Sequence, residues 1–263
     1  LDVLSASGYD DKIAWYENDG LTPPSFTPYT ITTDAVKVQS VHAADVDGDG
    51  DMDVLSASYG DDKVAWYEND GSQNFTAYTI AIAAGAGECV TAADVDGDGD
   101  MDVLSSDVAW YENDGAQNFT SHIITANGAE SVATADVDRD GDVDVLAAFS
   151  LENTIAWYEN DGAQNFTPYT ITTAASGATA VAADDVDGDG DMDVLAASYT
   201  GNTIAWYEND GQQTFTAHAI SAASDGPESI YTADVDSDGD LDVLAASSND
   251  NTISWYENRT LHY

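Results

Sequence analysis

An eleven-residue acidic loop recurs along this chain, and it limits the folds available more than any other feature. The first full copy, Asp45 to Leu55, reads DVDGDGDMDVL. Five aspartates stand at alternate positions: Asp45, Asp47, Asp49, Asp51 and Asp53. Carboxylates this close repel one another, and a bound cation makes the arrangement favourable. Four more copies follow: Asp94, Asp96, Asp98, Asp100 and Asp102; Asp136, Asp138, Asp140, Asp142 and Asp144; Asp185, Asp187, Asp189, Asp191 and Asp193; Asp234, Asp236, Asp238, Asp240 and Asp242. The loops hold 25 of the 50 acids in a 263-residue chain of formal charge −45, so the acidity is organised rather than spread as a solvating coat. Five calcium ions would reduce it to about −35.

Oxygen-only donors suit a hard cation, and calcium is expected. By the usual ligand logic, positions 1, 3, 5 and 9 supply carboxylates and position 7 a backbone carbonyl. The glycine at position 6, Gly50 in the first copy, lets the backbone reverse. An EF-hand needs an acid at position 12. That position holds Ser56, Ser105, Ala147, Ala196 or Ala245, so the EF-hand reading fails in every copy. Position 9 opens a strand instead, and the ion is expected to staple a β-hairpin. The competing reading is five acidic turns without metal.

A second marker shares the period. All six tryptophans lie in W-Y-E-N motifs, at Trp15, Trp66, Trp110, Trp157, Trp206 and Trp255, spaced 51, 44, 47, 49 and 49 residues apart. A repeat of this length indicates a solenoid, propeller or array. The unit reads as four strands: A over Val38 to Ala44, B over Val54 to Ser58, C over Lys63 to Glu68 and D over Phe75 to Ile80. Asn69-Asp70-Gly71 forms the turn between C and D. Strands A and B carry small residues such as Ala43, Ala44, Ser56 and Ala57. Strands C and D carry Trp66, Tyr67, Phe75 and Tyr78. Gaps between radially arranged sheets widen outward, so this gradient predicts an all-β fold, a β-propeller of four-stranded antiparallel blades. A linear solenoid has parallel gaps and no need of the gradient.

Residues 1–263 are expected to form a single propeller domain with repeat units near 1–35, 36–84, 85–127, 128–175, 176–224 and 225–263. Six blades are expected, or seven if the native chain is longer. Leu1 to Leu4 aligns with Met52 to Leu55, so the chain starts within a strand B, and its N-terminus reads as processed or cut from something longer. The third unit is short between Asp102 and Trp110, which removes the B–C turn there.

DVDGDGDMDVL followed by W-Y-E-N-D-G and F-T-x-x-x-I resembles the FG-GAP/VCBS repeats of integrin-α-like β-propellers, over nearly the whole chain. The resemblance implies about five calcium ions, one in each A–B loop, held by the five aspartate sets, with none at the isolated Asp2. It also implies an adhesion module, a lectin-like domain or a propeller within a larger surface protein, rather than an enzyme.

The net charge opposes nucleic acid and anionic lipid as partners. No apolar run reaches a membrane span. One cysteine, Cys89, excludes an internal disulfide and reads as a small buried hydrophobe. His42, His122, His218 and His262 read as occupying different repeat positions, with no zinc spacing. Trp66 and Tyr67 point to opposite faces of their strand, and read either as interblade packing or as a sugar-stacking surface. If a sugar binds, its contacts are expected at exposed aromatics such as Tyr9, Tyr59 and Tyr199 in the B–C turns, or in grooves between blades. Asn74, Asn118, Asn165 and Asn258 begin N-x-[ST] sequons, read either as glycosylation sites or as turn residues. The expected protein is secreted or on the cell surface and binds a glycan or a protein. The alternative is a structural propeller in a larger extracellular assembly or appendage with no small ligand.

Overall fold

A computed structural model describes residues 2–82 and 87–259. The fold is all-β, a six-bladed β-propeller built from antiparallel sheets. Two compact units divide the chain, Leu1–Gly128 and Ala129–Tyr263, with three blades in each.

Blade 1 comprises β1 (Val3–Ser7), β2 (Lys12–Asn18) and β3 (Phe26–Thr32). Blade 2 comprises β4 (Val38–Ala44), β5 (Asp53–Ser58), β6 (Lys63–Asn69) and β7 (Phe75–Ile82). Blade 3 comprises β8 (Val90–Ala93), β9 (Asp102–Ser105), β10 (Ala109–Asn113) and β11 (Phe119–Ile123). In the second unit, blade 4 comprises β12 (Ser131–Ala135), β13 (Asp144–Phe149), β14 (Thr154–Asn160) and β15 (Phe166–Thr172). Blade 5 comprises β16 (Ala178–Asp184), β17 (Asp193–Ser198), β18 (Thr203–Asn209) and β19 (Phe215–Ser221). Blade 6 comprises β20 (Pro227–Ala233), β21 (Asp242–Ser247) and β22 (Thr252–Tyr256). Neighbours in sequence are neighbours in each sheet, so every blade is a meander. Among the described residues, blade 1 lacks the first strand of the repeat and blade 6 lacks the fourth.

The second strand of blades 2 and 4 is buried along its whole length, because both faces of the sheet are covered. Burying a side chain such as Leu55 or Leu146 contributes roughly 1.5–3 kcal/mol. Alternation sends Trp66 and Tyr67 to opposite faces, and both are only 3% exposed. Trp66 packs with Val90, Val103 and Tyr111 of blade 3, whereas Tyr67 packs with Ile13 and Ala35 of blade 1. Interblade packing therefore accounts for both rings.

Two polar devices recur between neighbouring blades of one unit. The first uses the B–C turn, whose last residue is left-handed: Asp11, Asn153 and Asn202 have φ of 54–56°. Asp and Asn tolerate that region better than most residues. Asp11 Oδ1 accepts from the Lys37 amide (2.8 Å), Asn153 Oδ1 from Gly177 (2.8 Å) and Asn202 Oδ1 from Gly226 (3.1 Å). The second uses the asparagine of W-Y-E-N. Asn113 Nδ2 donates to the Val46 carbonyl (3.0 Å), Asn209 to Val137 (3.3 Å) and Asn258 to Val186 (2.8 Å), each in the preceding blade. Asn209 is also buried, and its Nδ2 donates to Met192 O (3.0 Å). Asn209→Ala leaves two buried carbonyls short of a donor and is expected to cost about 1–3 kcal/mol in a urea titration. Asn69 Nδ2 reaches Met52 O within its own blade, so Asn69→Ala should cost less. Equal losses in the two variants would contradict the interblade role.

Cys89 is half-buried just before β8, not fully buried as its sequence context suggests. His122 and His218 share one repeat position, correcting the sequence reading. Each pairs with the tryptophan of its blade across the outer strands, as Tyr78 and Tyr169 do. His262 lies outside the described residues.

Candidate metal centres

Each acidic loop leaves the end of a first strand and returns into the second. In the first copy β4 ends at Ala44 and Asp45 opens the loop. Short side-chain bonds then fold it: Asp47 Oδ1 accepts from the Asp49 amide (3.2 Å), Asp49 Oδ1 from Asp51 (2.9 Å) and Asp45 Oδ2 from Gly50 (3.0 Å). Gly50 has φ +95°, which only glycine adopts readily. Position 4 is left-handed as well, including Arg139 (φ 64°) and Ser237 (φ 65°) where other copies have glycine. Arg139 gains a partner in the next blade, its Nη1 lying 2.8 Å from Asp191 Oδ1.

Three of the five aspartates converge. Asp45, Asp47 and Asp53 each place a carboxylate oxygen within 4.8 Å of the others. The same trio forms at Asp94, Asp96 and Asp102; at Asp136, Asp138 and Asp144; at Asp185, Asp187 and Asp193; and at Asp234, Asp236 and Asp242. The ninth-position aspartate, Asp53 in the first copy, is fully buried at the start of β5. Its Oδ2 accepts from Val46 N (3.1 Å) and its Oδ1 from Asn69 N (2.7 Å). It thereby ties the loop to the W-Y-E-N strand. Asp102, Asp144, Asp193 and Asp242 repeat both bonds. Asp2, in the incomplete first unit, keeps one of them, to Asn18 N (2.9 Å).

The other two positions stand apart from the trio. Asp49, Asp98, Asp140, Asp189 and Asp238, at position 5, are solvent-exposed apart from their backbone bonds two residues on. The seventh-position carboxylates turn the other way. Asp51, Asp100, Asp142 and Asp191 abut Gly71, Gly115, Gly162 and Gly211 of the C–D turns, where an added Cβ would sit 2.4–2.6 Å from a carboxylate oxygen. Asp240 at the same position is buried. This explains the glycine of N-D-G: φ is positive there and the space is already filled.

The trios fit a hard cation on two grounds. Oδ1 of Asp45, Asp94, Asp136 and Asp185 is buried with no hydrogen-bond partner, and buried acceptors in native proteins are nearly always satisfied. Burial also opposes charge on four of the five ninth-position groups: it pushes Asp53 up, Asp102 to about 7, and Asp144 and Asp193 to about 6, whereas in the fifth copy burial is outweighed by the Asn258 and Val235 amides and Asp242 is held low. Two charges 4 Å apart cost roughly 4 kcal/mol at an effective dielectric of 20. A divalent ion turns that repulsion into attraction. Donors that are all oxygen favour a calcium-type ion over zinc or copper. The fifth trio is more open, with Asp234 and Asp236 exposed, and Asp234 Oδ1 accepts from Asp238 N (3.1 Å).

Sequence comparison matches the model of the FG-GAP-like repeat to residues 1–56, 45–105, 105–147, 136–196 and 185–245. The chain belongs to the FG-GAP-like repeat family. No match is found among curated proteins. Solved structures share the fold of these FG-GAP-like repeats at low identity. The Vibrio cholerae biofilm matrix protein Bap1 is 16% identical with a TM-score of 0.55, over 89% of this chain and 41% of that one. A protein from Lactobacillus plantarum is 16% identical with a TM-score of 0.64, over 97% and 81%. The rhamnogalacturonan lyase YesW is 15% identical with a TM-score of 0.51, over 93% and 52%. The FG-GAP-like chain thus spans less than half of the Bap1 chain.

Two relationships among site residues escaped sequence reading, though both left a signal. The ninth-position aspartate precedes the asparagine it caps by 16 residues in five blades (Asp53 to Asn69, for example) and by 11 in the shortened blade 3. The ring that stacks on each tryptophan lies 12 residues after it in blades 2 to 5.

Proposed function

We propose that the chain is a calcium-stabilised, non-catalytic extracellular binding module that presents its turns to a glycan or protein ligand. The orphaned buried Oδ1 in four of the five trios carries the calcium assignment. Extracellular calcium sites work at about 10⁻⁴–10⁻³ M, an affinity suited to such loops. An extracellular setting is supported by the shared fold of Bap1, a biofilm matrix protein. Because the lyase YesW shares that fold too, the fold alone does not decide against catalysis. What supports a non-catalytic role is that the buried acids of the repeat, the ninth-position aspartates, each accept two backbone amides and belong to a trio. Among the described residues, no helix is long and apolar enough to cross a membrane.

Ligand contact is assigned to the B–C turns. Tyr9 is fully exposed and Tyr59 is 54% exposed, and Leu151, 90% exposed, stands in blade 4 at the position of Tyr9. Tyr199 is tied down, its hydroxyl donating to Asn249 Oδ1 (3.0 Å). A glycan array read in calcium tests this: binding should weaken about tenfold in Tyr9→Ala with Tyr59→Ala, at unchanged melting temperature. Retention of full binding by that variant moves the ligand elsewhere. The second reading, a structural propeller within a larger assembly, is favoured by the 41% coverage of Bap1. An array with no hits and native particles containing the chain in a larger complex would support it.

At the sequons, Asn74, Asn118 and Asn165 donate Nδ2 to Asp70, Asp114 and Asp161 at 2.9–3.0 Å. They are turn residues in this fold, whatever modification they carry.

A further inference from the structure

The glutamate of W-Y-E-N has neighbours of two kinds. One is a ring from the fourth strand. Trp15 stacks on Tyr29 (4.7 Å between centroids), Trp66 on Tyr78 (4.9 Å), Trp110 on His122 (4.5 Å), Trp157 on Tyr169 (4.8 Å) and Trp206 on His218 (4.6 Å). The polar end of each ring meets the glutamate two residues after the tryptophan. Tyr29 Oη donates to Glu17 (3.1 Å), and His122 Nε2 and His218 Nε2 lie 2.6 and 2.7 Å from Glu112 and Glu208. Hydrogen bonds to Glu68 and Glu159 raise the hydroxyls of Tyr78 and Tyr169.

The other neighbour is the acidic loop. The Asn69 amide that donates to Asp53 Oδ1 (2.7 Å) is bonded to the Glu68 carbonyl carbon. Through those bonds the Glu68 Cα stands no more than about 5.6 Å from that oxygen, a gap its side chain can span. Alternation puts Trp66 and Glu68 on one face of β6. Asp47 of the trio lines the same ≈ 410 Å³ cavity as Trp66, Glu68 and Tyr78. Charge reports the same closeness. Burial raises Asp47, Asp96, Asp138 and Asp187, and the fifth-position aspartate of the loop adds to it. The glutamate comes next, ahead of the first-position aspartate of the trio itself. Its oxygens nevertheless stand outside the trio.

We infer that Glu68, Glu112, Glu159 and Glu208 are further oxygen ligands of the ion in their own blade's acidic loop, and that the fourth-strand ring competes with the ion for each carboxylate. This rests on the calcium reading of the trios. A trio supplies three carboxylates, and the seventh position is expected to add one carbonyl. Calcium takes about six to eight oxygens. The fifth-position aspartate, which the loop pattern offers as the next carboxylate, faces water and stands outside the trio. The glutamate comes from a strand that the ninth-position aspartate already ties to the loop. A carboxylate shared between a ring and an ion sets the affinity of the site by how firmly the ring holds it. Blades 2 and 4 use tyrosine for that ring and blades 3 and 5 use histidine, so the four sites differ although their trios match.

The test titrates the full chain with calcium and follows the six indole N–H signals by NMR, one per blade, assigned with Trp157→Phe and its counterparts. Blade 4 is the working case. In Glu159→Gln the calcium midpoint of the Trp157 signal should rise about tenfold, while the Trp66 and Trp110 signals keep theirs. Glutamine still accepts from Tyr169, so a glutamate that only braces the ring predicts no change. Glu159→Asp keeps the charge but shortens the reach, and should weaken the site about as much. Full affinity in Glu159→Asp overturns the ligation, because distant charge then explains the glutamine result. Tyr169→Phe frees the carboxylate and should lower the midpoint by about threefold; a weaker site in that variant overturns the competition. An unchanged Trp157 midpoint in Glu159→Gln overturns the proposal and leaves the calcium reading intact. A parent chain with no calcium-dependent signal overturns both. Melts in chelator should place these variants within a few degrees of the parent, and the same changes at Glu68 and Tyr78 repeat the test in blade 2 if one of them does not fold.

Discussion

Chelating the bound ions at pH 7 is expected to lower the melting temperature of the calcium-loaded chain by ten degrees or more, roughly. Each trio binds only when its loop is folded, so each ion adds about 2.7 kcal/mol when free calcium is a hundredfold above Kd. For a chain of this size 1 kcal/mol moves the midpoint by about 2–4 °C. Four enclosed trios therefore suffice, and the open Asp234 trio should release its ion first as chelator is titrated. The effect should shrink at acid pH. Burial holds Asp102 near pH 7 and Asp144 and Asp193 near pH 6, above the ordinary carboxylate value of 3.8. Without metal the folded state thus binds more protons than the unfolded state between about pH 4 and 7. Stability from these groups is fully present below the unfolded value and is lost as pH rises through the folded one. In chelator the chain should melt higher at pH 5 than at pH 7, and in calcium the order should reverse. The turn aspartates Asp70, Asp114 and Asp161 are held low by their asparagine partners and titrate below this window. Identical melts with and without chelator at pH 7 would sink the calcium assignment, and a chelated midpoint that climbs from pH 5 to 7 would overturn the raised buried carboxylates.

Much of the architecture is legible because two markers of different chemistry keep one period. The strands of blade 2 begin and end within two residues of where the pattern puts them, since Ala44, Asp53 and Asn69 each mark a change of chemistry. The small-to-large gradient from Ala43 to Tyr78 reports the widening gap between blades directly. Less legible is the division of labour inside each loop. Five alternate aspartates look alike in sequence. Their roles separate only when the loop folds: Asp45, Asp47 and Asp53 converge, Asp49 faces water, and Asp51 packs on Gly71. That last contact is tertiary, joining residues 20 apart, and no local rule predicts it. The equivalence of His122 to Tyr78 was hidden for a different reason. The two residues differ in type and agree in their 12-residue spacing from tryptophan and in geometry, each offering a flat ring to tryptophan and a polar atom to glutamate.

Asp144→Ala is expected to be among the most damaging single substitutions in the chain, and to harm the metal-free protein as well. Asp144 is fully buried; its Oδ2 accepts from Val137 N (2.9 Å) and its Oδ1 from Asn160 N (2.8 Å). Alanine leaves both amides unsatisfied, at about 1–3 kcal/mol each, before any ion is counted. In calcium the variant also loses one of the trio's three carboxylates, so the stoichiometry from calorimetry should fall by one and the calcium-dependent rise in midpoint should shrink. Asp144→Asn separates the two effects. The amide keeps one acceptor for the two N–H groups and removes a buried charge, but it brings no negative charge to the ion. In chelator at pH 7 the asparagine variant should therefore be clearly more stable than the alanine variant, while in calcium both should lack the same site. Asp140→Ala supplies the contrast, because Asp140 is exposed and stands outside the trio. Its loss in chelator should stay within about 1 kcal/mol, the value of one exposed backbone bond. An alanine at 144 that melts with the parent in chelator would show that the ninth aspartate serves the ion alone. The staple would then be the metal, and not the carboxylate that joins the acidic loop to the strand of tryptophans.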